Sequence, residues 1–305
     1  MKLIVMGQQA FGKAALERLL ELGRDEVVAV YCAPDKEGRP VDPLKEAALA
    51  AGLPVIQPSN FSDDETLELL GSHNADLMIM AYVTLFVPEA ARNSPLMGSI
   101  CFHPSLLPLH RGPSSINWPI IGGSTKSGFS WFYPTDGLDE GDLLLQKECD
   151  IGPDDTLGDV YFKKIFPSAI ASVDEVCDLF RSGKPPRTEQ DDSKATYESW
   201  CRKKDAWIDW SNPVADVYNL IRGTNPQPGA WTTSGGDELK IYDSRKIDGQ
   251  GKPGEIISVS DDGVEIQAGG GRILVKRVRP SGSGKIPAAE WATAKRISAG
   301  SVLGD

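Results

Sequence analysis

Apolar residues in the first part of the chain follow two patterns in turn. Lys2 to Met6 is a short, nearly unbroken apolar run that predicts a buried strand. After Gly7, apolar residues at Phe11, Ala14, Ala15, Leu19 and Leu22 fall on one helical face until Gly23 ends the period. The alternation continues with a strand at Val27 to Cys32, a helix at Pro43 to Ala51, a short extended piece at Leu53 to Ile56, a helix at Asp63 to Leu70 and a strand at Ala75 to Ala81. Such alternation predicts an α/β fold with right-handed crossovers and a mostly parallel, Rossmann-like sheet, which binds ligands beyond the carboxyl ends of its strands. Ser99 to Phe102, Gly128 to Tyr133 and Leu143 to Glu148 read as further strands, and Leu157 to Phe180 as a closing helical region.

After Arg181 the pattern changes. Ser182 to Asp192 combines Gly183, Pro185 and Pro186 with several charges and reads as a linker. Asn212 to Arg222 predicts one helix, opened by Asn-Pro. Leu239 to Tyr242, Gly254 to Val259, Gly263 to Ala268 and Arg272 to Val278, separated by Gly and Asp turns, predict a small antiparallel β-barrel. The expected organisation is a catalytic α/β domain over residues 1–183, a linker over 184–205 and a barrel domain over 206–305.

Composition narrows the classes. At 305 residues with 40% hydrophobic and 25% charged residues, the chain is an ordinary globular protein, neither disordered nor a disulfide-stapled mini-protein. Its five cysteines are scattered and never spaced C-x-x-C, and there are three histidines, so neither a disulfide framework nor a metal site is expected. Apolar runs such as Leu77 to Val83 fall well short of the roughly 20 residues needed to span a bilayer. Met1-Lys2 leads straight into a strand without a cleavage site, so the expected location is cytoplasmic, with no membrane partner. The formal charge is -11, and the final 100 residues are balanced at 12 basic and 12 acidic, so the whole excess lies in the first 205. That surface repels phosphate backbones, and a nucleic-acid partner is not expected without a local basic patch.

Three segments offer chemistry. Gly7-Gln8-Gln9-Ala10-Phe11-Gly12 follows a strand but lacks the middle glycine of a dinucleotide-binding turn, so a plain helix–sheet turn is the favoured reading. Cys101 and His103, two apart at a strand end, share one face and reach the ligand-binding edge of the sheet. Asp136-Gly137-Leu138-Asp139-Glu140-Gly141-Asp142 is a glycine-rich acidic turn after another predicted strand, whose carboxylates suit holding an imidazole in one tautomer. A calcium loop is the rival, but the spacing and closing Glu of an EF-hand are missing.

These segments, with Leu106-Leu107-Pro108, His110-Arg111-Gly112, Ile116-Asn117-Trp118, Leu143 to Glu148, Ile221-Arg222-Gly223 and Pro228 to Trp231, resemble the folate-dependent formyltransferase superfamily. The likeness is nearest to the hydrolase domains that open 10-formyltetrahydrofolate dehydrogenases, followed by an OB-like barrel similar to the C-terminal domain of methionyl-tRNA formyltransferases. It implies that 10-formyltetrahydrofolate is the formyl donor and that His103 and Asp139 are the catalytic pair. It places Leu85, Phe86 and Val87 on the pteridine loop, with Phe102, Ser105, Leu106, Leu107, Pro108, Asp136, Gly137 and Leu138 lining the same cleft. On their own, Leu85 to Val87 read as core packing. Two departures stand out: Cys101 occupies the place of the transferases' Asn, and Val83 that of a common glycine. Between Cys32 and Pro43 there is no basic insertion of the kind that methionyl-tRNA formyltransferases carry; that stretch holds three acids against Lys36 and Arg39.

The favoured reading is hydrolysis of 10-formyltetrahydrofolate to formate and tetrahydrofolate, with Cys101 more naturally a small filler than a nucleophile. The alternatives are formyl transfer to an amine, on methionyl-tRNA or a small metabolite, and a non-catalytic folate-binding module.

Overall fold

The computed structural model describes every residue from Met1 to Asp305. In chain order the first part comprises β1 (Lys2–Gly7), α1 (Gln9–Leu22), β2 (Glu26–Tyr31), α2 (Pro43–Ala50), β3 (Val55–Ile56), α3 (Asp64–Ser72), β4 (Leu77–Ala81), α4 (Glu89–Arg92), β5 (Ser99–His103), α5 (Asn117–Ile121), β6 (Lys126–Phe132) and β7 (Leu143–Asp150). The strands form one seven-stranded sheet in the order β3-β2-β1-β4-β5-β6-β7. β1 to β5 pair in parallel, and β6 runs antiparallel to β5. Leu3 to Gly7 and Leu77 to Ala81 are buried throughout, which is why these central strands read as continuous apolar runs rather than alternating ones.

Strand order reverses between β1 and β4, and the turn after β1 lies at that switch point. A Cβ on Gly7 would sit 2.0 Å from the Ala81 carbonyl oxygen, so glycine is needed there for backbone approach inside the sheet. Both carboxylate oxygens of Asp42 accept from the Gln9 amide at 2.9 Å, and one also accepts from Leu44 N at the start of α2. The first amide of α1 thus already faces an anion of the protein's own, which fits the helix–sheet-turn reading.

The helical region expected as one piece over Leu157 to Phe180 is broken. It consists of α6 (Leu157–Asp159), a π-helical turn (Val160–Ile165), α7 (Phe166–Ala171) and α8 (Val173–Arg181). Pro167 lacks the amide that would continue an α-helical ladder, and the wider turn sits immediately before it.

The C-terminal part contains α9 (Val214–Gly223), β8 (Ala230–Ser234), β9 (Asp237–Ile241), β10 (Ser244–Ile247), β11 (Ile256–Ser260), β12 (Gly263–Ala268), β13 (Gly271–Val275), β14 (Arg277–Pro280), β15 (Ile286–Pro287) and α10 (Ala288–Ala294). Its strands form two four-stranded antiparallel sheets, β10-β13-β12-β11 and β15-β14-β9-β8, and no ladder closes them into the expected OB-like barrel. The strand expected over Arg272 to Val278 splits at Lys276, and β9 and β10 split at Tyr242-Asp243. Tyr242 N donates to Arg277 O at 2.9 Å and Lys276 N to Asp243 O at 2.8 Å, so one bent ribbon serves both sheets. Ile208, Trp210, Tyr218, Ile241, Ile266 and Trp291 belong to the single apolar core of this part.

The chain divides into two compact units: Met1–Arg111, Gly128–Glu148 and Lys164–Tyr197 make the first, and Gly112–Ser127, Cys149–Lys163 and Glu198–Asp305 the second. Within the first unit the Asp25 side chain, 2% exposed, pairs with Arg181 and with the Met1 amino group. Burial alone raises its pKa, but hydrogen bonds from Arg181 and the amino group outweigh that and hold the carboxyl below its ordinary value. A depressed carboxyl stabilises the fold above its unfolded pKa, and that contribution disappears as pH falls through the folded value. Asp25→Asn is therefore expected to destabilise the protein by about 2 kcal/mol at pH 7 in urea titrations, with the gap to wild type closing as pH falls below about 4.

Candidate active site

The site is built at the carboxyl end of β5, where strand alternation sorts three consecutive residues. Phe102 points to one face and its ring stacks on Phe11 at 4.0 Å between centroids, with Trp131 at 5.5 Å and Phe129 at 5.9 Å. This corrects the expected ligand contact: the Phe102 side chain belongs to the core, because period-two alternation puts it opposite His103. Cys101 and His103 share the other face. Cys101 is half-buried and donates weakly to the Phe102 carbonyl, with sulfur and oxygen 3.7 Å apart. Burial first, and the Asp139 carboxylate second, push its thiol pKa far above the ordinary range, so the sulfur stays protonated and is a poor nucleophile.

His103 is buried, and its Nε2 lies 2.9 Å from the His110 carbonyl oxygen. A carbonyl only accepts, so Nε2 carries a hydrogen and donates it. Nδ1 faces Asp139 Oδ2 at 3.5 Å, a separation longer than a hydrogen bond between them. The ring nitrogen open to reaction chemistry is therefore Nδ1, on the Asp139 side.

The loop after His103 uses its polar groups on itself. Ser105 N donates to His103 O at 2.9 Å, Ser105 Oγ to Leu109 O at 2.7 Å, and Leu107 N to Ser130 Oγ at 3.2 Å. Ser105 and Leu107 are buried, and Leu106 and Pro108 half-buried. Opposite this loop, a Cβ on Gly128 would lie 2.1 Å from Lys147 O and 2.6 Å from the Leu106 side chain.

The apolar loop after β4 divides. Val87 is buried and packs with Met6, Tyr31 and Met80, as core packing predicts, while Leu85 and Phe86 are 37% and 67% exposed. Leu138, in the acidic turn, is 52% exposed. Asp136 receives Arg92 Nη2 at 2.7 Å, and the same buried guanidinium donates to Val87 O at 2.6 Å, so Arg92 ties the two loops together. Gly137 admits the Glu140 carboxylate, which would lie 1.9 Å from a Cβ there. A cavity of about 470 Å³ lies where α4 and the stretch to Ser99 meet the acidic turn; its lining includes Arg92, Tyr133, Asp136, Gly141 and Gln190 but none of Leu85, Phe86, Leu138, His103 or Asp139.

Residues 1–171 match the formyl transferase family and residues 201–296 the formyl transferase C-terminal domain. The chain belongs to the formyl transferase family. It is 37% identical to the mitochondrial 10-formyltetrahydrofolate dehydrogenase of Mus musculus over 98% of its own length, and spans about a third of that relative (34%). It is 34% identical to the methionyl-tRNA formyltransferase of Geotalea daltonii over 100% of its length and 98% of that protein. The crystal structure of the N-formyltransferase from Helicobacter canadensis, in complex with folinic acid and dTDP-3-aminofucose, shares the fold with a TM-score of 0.67 at 16% identity, covering 90% of this chain and 98% of that one.

In this family member, four residues to which sequence reasoning gave no role in the site brace its loops. Arg111 is 1% exposed and donates to Gln190 Oε1, Asp192 Oδ1 and the Tyr197 hydroxyl. Gln190, inside the segment read as a linker, is buried and donates to Asp139 O and Gly141 O. Tyr197 donates to Glu140 Oε1 at 2.7 Å, and Arg92 holds Asp136. The signal for Arg111 lay in the motif it shares with His110; a lone Gln among charges carries none.

The Cys101 environment has a direct consequence. At pH 8, iodoacetamide is expected to label Cys101 at least roughly tenfold more slowly than a free small-molecule thiol, read by peptide mass spectrometry, because its thiolate fraction is negligible there. Labelling at the rate of a free thiol contradicts the buried, protonated sulfur.

Proposed function

We propose that this chain binds 10-formyltetrahydrofolate and hydrolyses it to formate and tetrahydrofolate. The observation that carries the reading is the buried His103 with Nε2 committed to His110 O and Nδ1 turned to Asp139 Oδ2 at 3.5 Å. A water between the formyl carbon and Asp139 loses a proton to the carboxylate as its oxygen bonds to that carbon. The C–N10 bond then breaks, and N10 takes the proton by way of Nδ1, which leaves formate and a secondary amine. The protonated Cys101 supplies at best a weak donor for the developing oxyanion, so that stabilisation falls to His103 once Nδ1 has received the water's proton from Asp139 and before it passes it to N10.

For the folate, exposed Leu85, Phe86 and Leu138 offer apolar walls for a flat heterocycle. The likeness to 10-formyltetrahydrofolate dehydrogenase over nearly the whole chain supports 10-formyltetrahydrofolate as the formyl donor.

The second reading, formyl transfer to an amine, is favoured by the end-to-end match to a methionyl-tRNA formyltransferase. Against tRNA stand the acidic first 205 residues and the short Ala33 to Pro43 segment. Incubation with 10-formyltetrahydrofolate, with and without charged initiator tRNA or small amines, separates the readings when tetrahydrofolate, formate and formylated product are all followed. Formate equal to tetrahydrofolate in every mixture is expected. Formylated product in place of formate establishes transfer, and folate binding with neither product establishes a non-catalytic module.

His103→Ala and Asp139→Asn are each expected to lower kcat by at least roughly a hundredfold, with the double variant little worse than either, since paired residues lose activity non-additively. Cys101→Ala is expected to keep most of the hydrolysis. Filter binding of initiator tRNA at about 0.15 M salt is expected to be weaker than micromolar, and a steep salt slope with tighter binding overturns the assignment of water as acceptor.

A further inference from the structure

Two residues of the site sit in left-handed backbone conformations although neither is glycine: His110 at φ +59° and Asp139 at φ +58°. Each costs roughly 1 kcal/mol relative to ordinary backbone and persists only where its surroundings hold it. They are also the residues that set the geometry of His103, one through its carbonyl at Nε2 and the other through its carboxylate at Nδ1.

Both are held by one stretch of chain about 80 residues downstream of His110 and about 50 downstream of Asp139, as the sequence separations show. Gln190 Nε2 donates to Asp139 O at 2.9 Å and Gly141 O at 2.6 Å. Gln190 Oε1 receives Arg111 at 2.8 and 3.1 Å, so all of the amide is used. Thr196 Oγ1 accepts from His110 N at 2.8 Å, Thr196 O accepts from Arg111 N at 2.9 Å, and Thr196 N donates to Pro108 O at 3.2 Å. Tyr197 joins Arg111 to Glu140 on the far side of Asp139.

We infer that Gln190 to Tyr197 is a strap rather than a spacer, and that Gln190 is a positioning residue which fixes the separation of His103 and Asp139. The inference rests on the reading of that pair as the reacting groups. A Gln is required by the bonding: its oxygen must accept from Arg111 while its nitrogen donates to two carbonyls, and no other side chain of that length does both.

The discriminating variant is Gln190→Glu. A carboxylate still accepts from Arg111, so the buried guanidinium keeps its partner, but it has no hydrogen for Asp139 O or Gly141 O. We expect thermal unfolding within about 3 °C of wild type, with amide exchange in residues 136–142 at least roughly tenfold faster and elsewhere unchanged. In turnover, kcat is expected to fall by roughly tenfold or more, with KM for the formyl donor within about threefold, the split of a misplaced reacting pair rather than lost binding. Thr196→Val, which removes the acceptor for His110 N and leaves Gln190 in place, is expected to loosen residues 108–112 in the same exchange measurement.

Unchanged exchange at 136–142 in Gln190→Glu, or kcat within about twofold of wild type, overturns the inference. If the wild-type protein turns over no formyl donor, the proposed function fails, and the exchange measurement alone still decides whether the strap holds the loop.

Discussion

A guanidinium buried to 1% exposure must find acceptors or cost several kcal/mol, and Arg111 finds them in Gln190, Asp192 and Tyr197. Burial works to lower its pKa, but the hydrogen bonds it donates to Asp192 and Tyr197 outweigh this and hold it above the ordinary value, so the charge persists. The requirement draws residues 190–197 back over the loop that follows β5. Once there, the same segment has donors and acceptors left for Asp139, Gly141, Glu140 and His110. The geometry of the His103–Asp139 pair thus depends on a charge that touches neither residue's side chain.

A second buried arginine works similarly at the other end of the acidic turn. Arg92 spans Val87 O and Asp136, so the apolar loop after β4 and the turn after β6 are joined at one guanidinium. Gly141 allows this turn to close, since a Cβ there would lie 1.6 Å from Tyr133 O. Held at both ends, the turn presents Leu138 outward and Asp139 inward, an apolar wall beside a carboxylate.

This arrangement bears on the choice between water and an amine as acceptor. Reactive geometry is confined to Nδ1 and the Asp139 carboxylate, because Nε2 is committed to a carbonyl, and the neighbouring thiol adds little polarisation. A small acceptor such as water needs no more than that. The first amide of α1 is occupied by Asp42, and the chain's negative excess lies entirely in the first 205 residues, which disfavours a phosphate-bearing acceptor there.

The alternation of apolar runs and helical periods was enough to place the parallel strands, because β1, β4 and β5 are buried and their side chains report burial directly. The spacing of Cys101 and His103, and the glycine-rich acidic turn, marked both halves of the proposed reacting pair for the same reason: local backbone period and turn chemistry are encoded within a few residues. What local sequence did not carry was anything set by partners far along the chain. Pro167 forced a π turn inside an apparently continuous helix, and Lys276 and Tyr242-Asp243 bent one ribbon into two open sheets where closure was expected. The family resemblance placed Phe102 in the folate cleft, but the opposite face of the strand sends its side chain into the stack with Phe11. Gln190 read as linker because its neighbours are polar and proline-rich, and only the buried charge of Arg111, 79 positions away, draws it into the interior. Sequence determined which residues form the elements and where reactive groups stand along them; tertiary structure decided which way those groups face, since a hydrogen bond across such a distance leaves no local period to read.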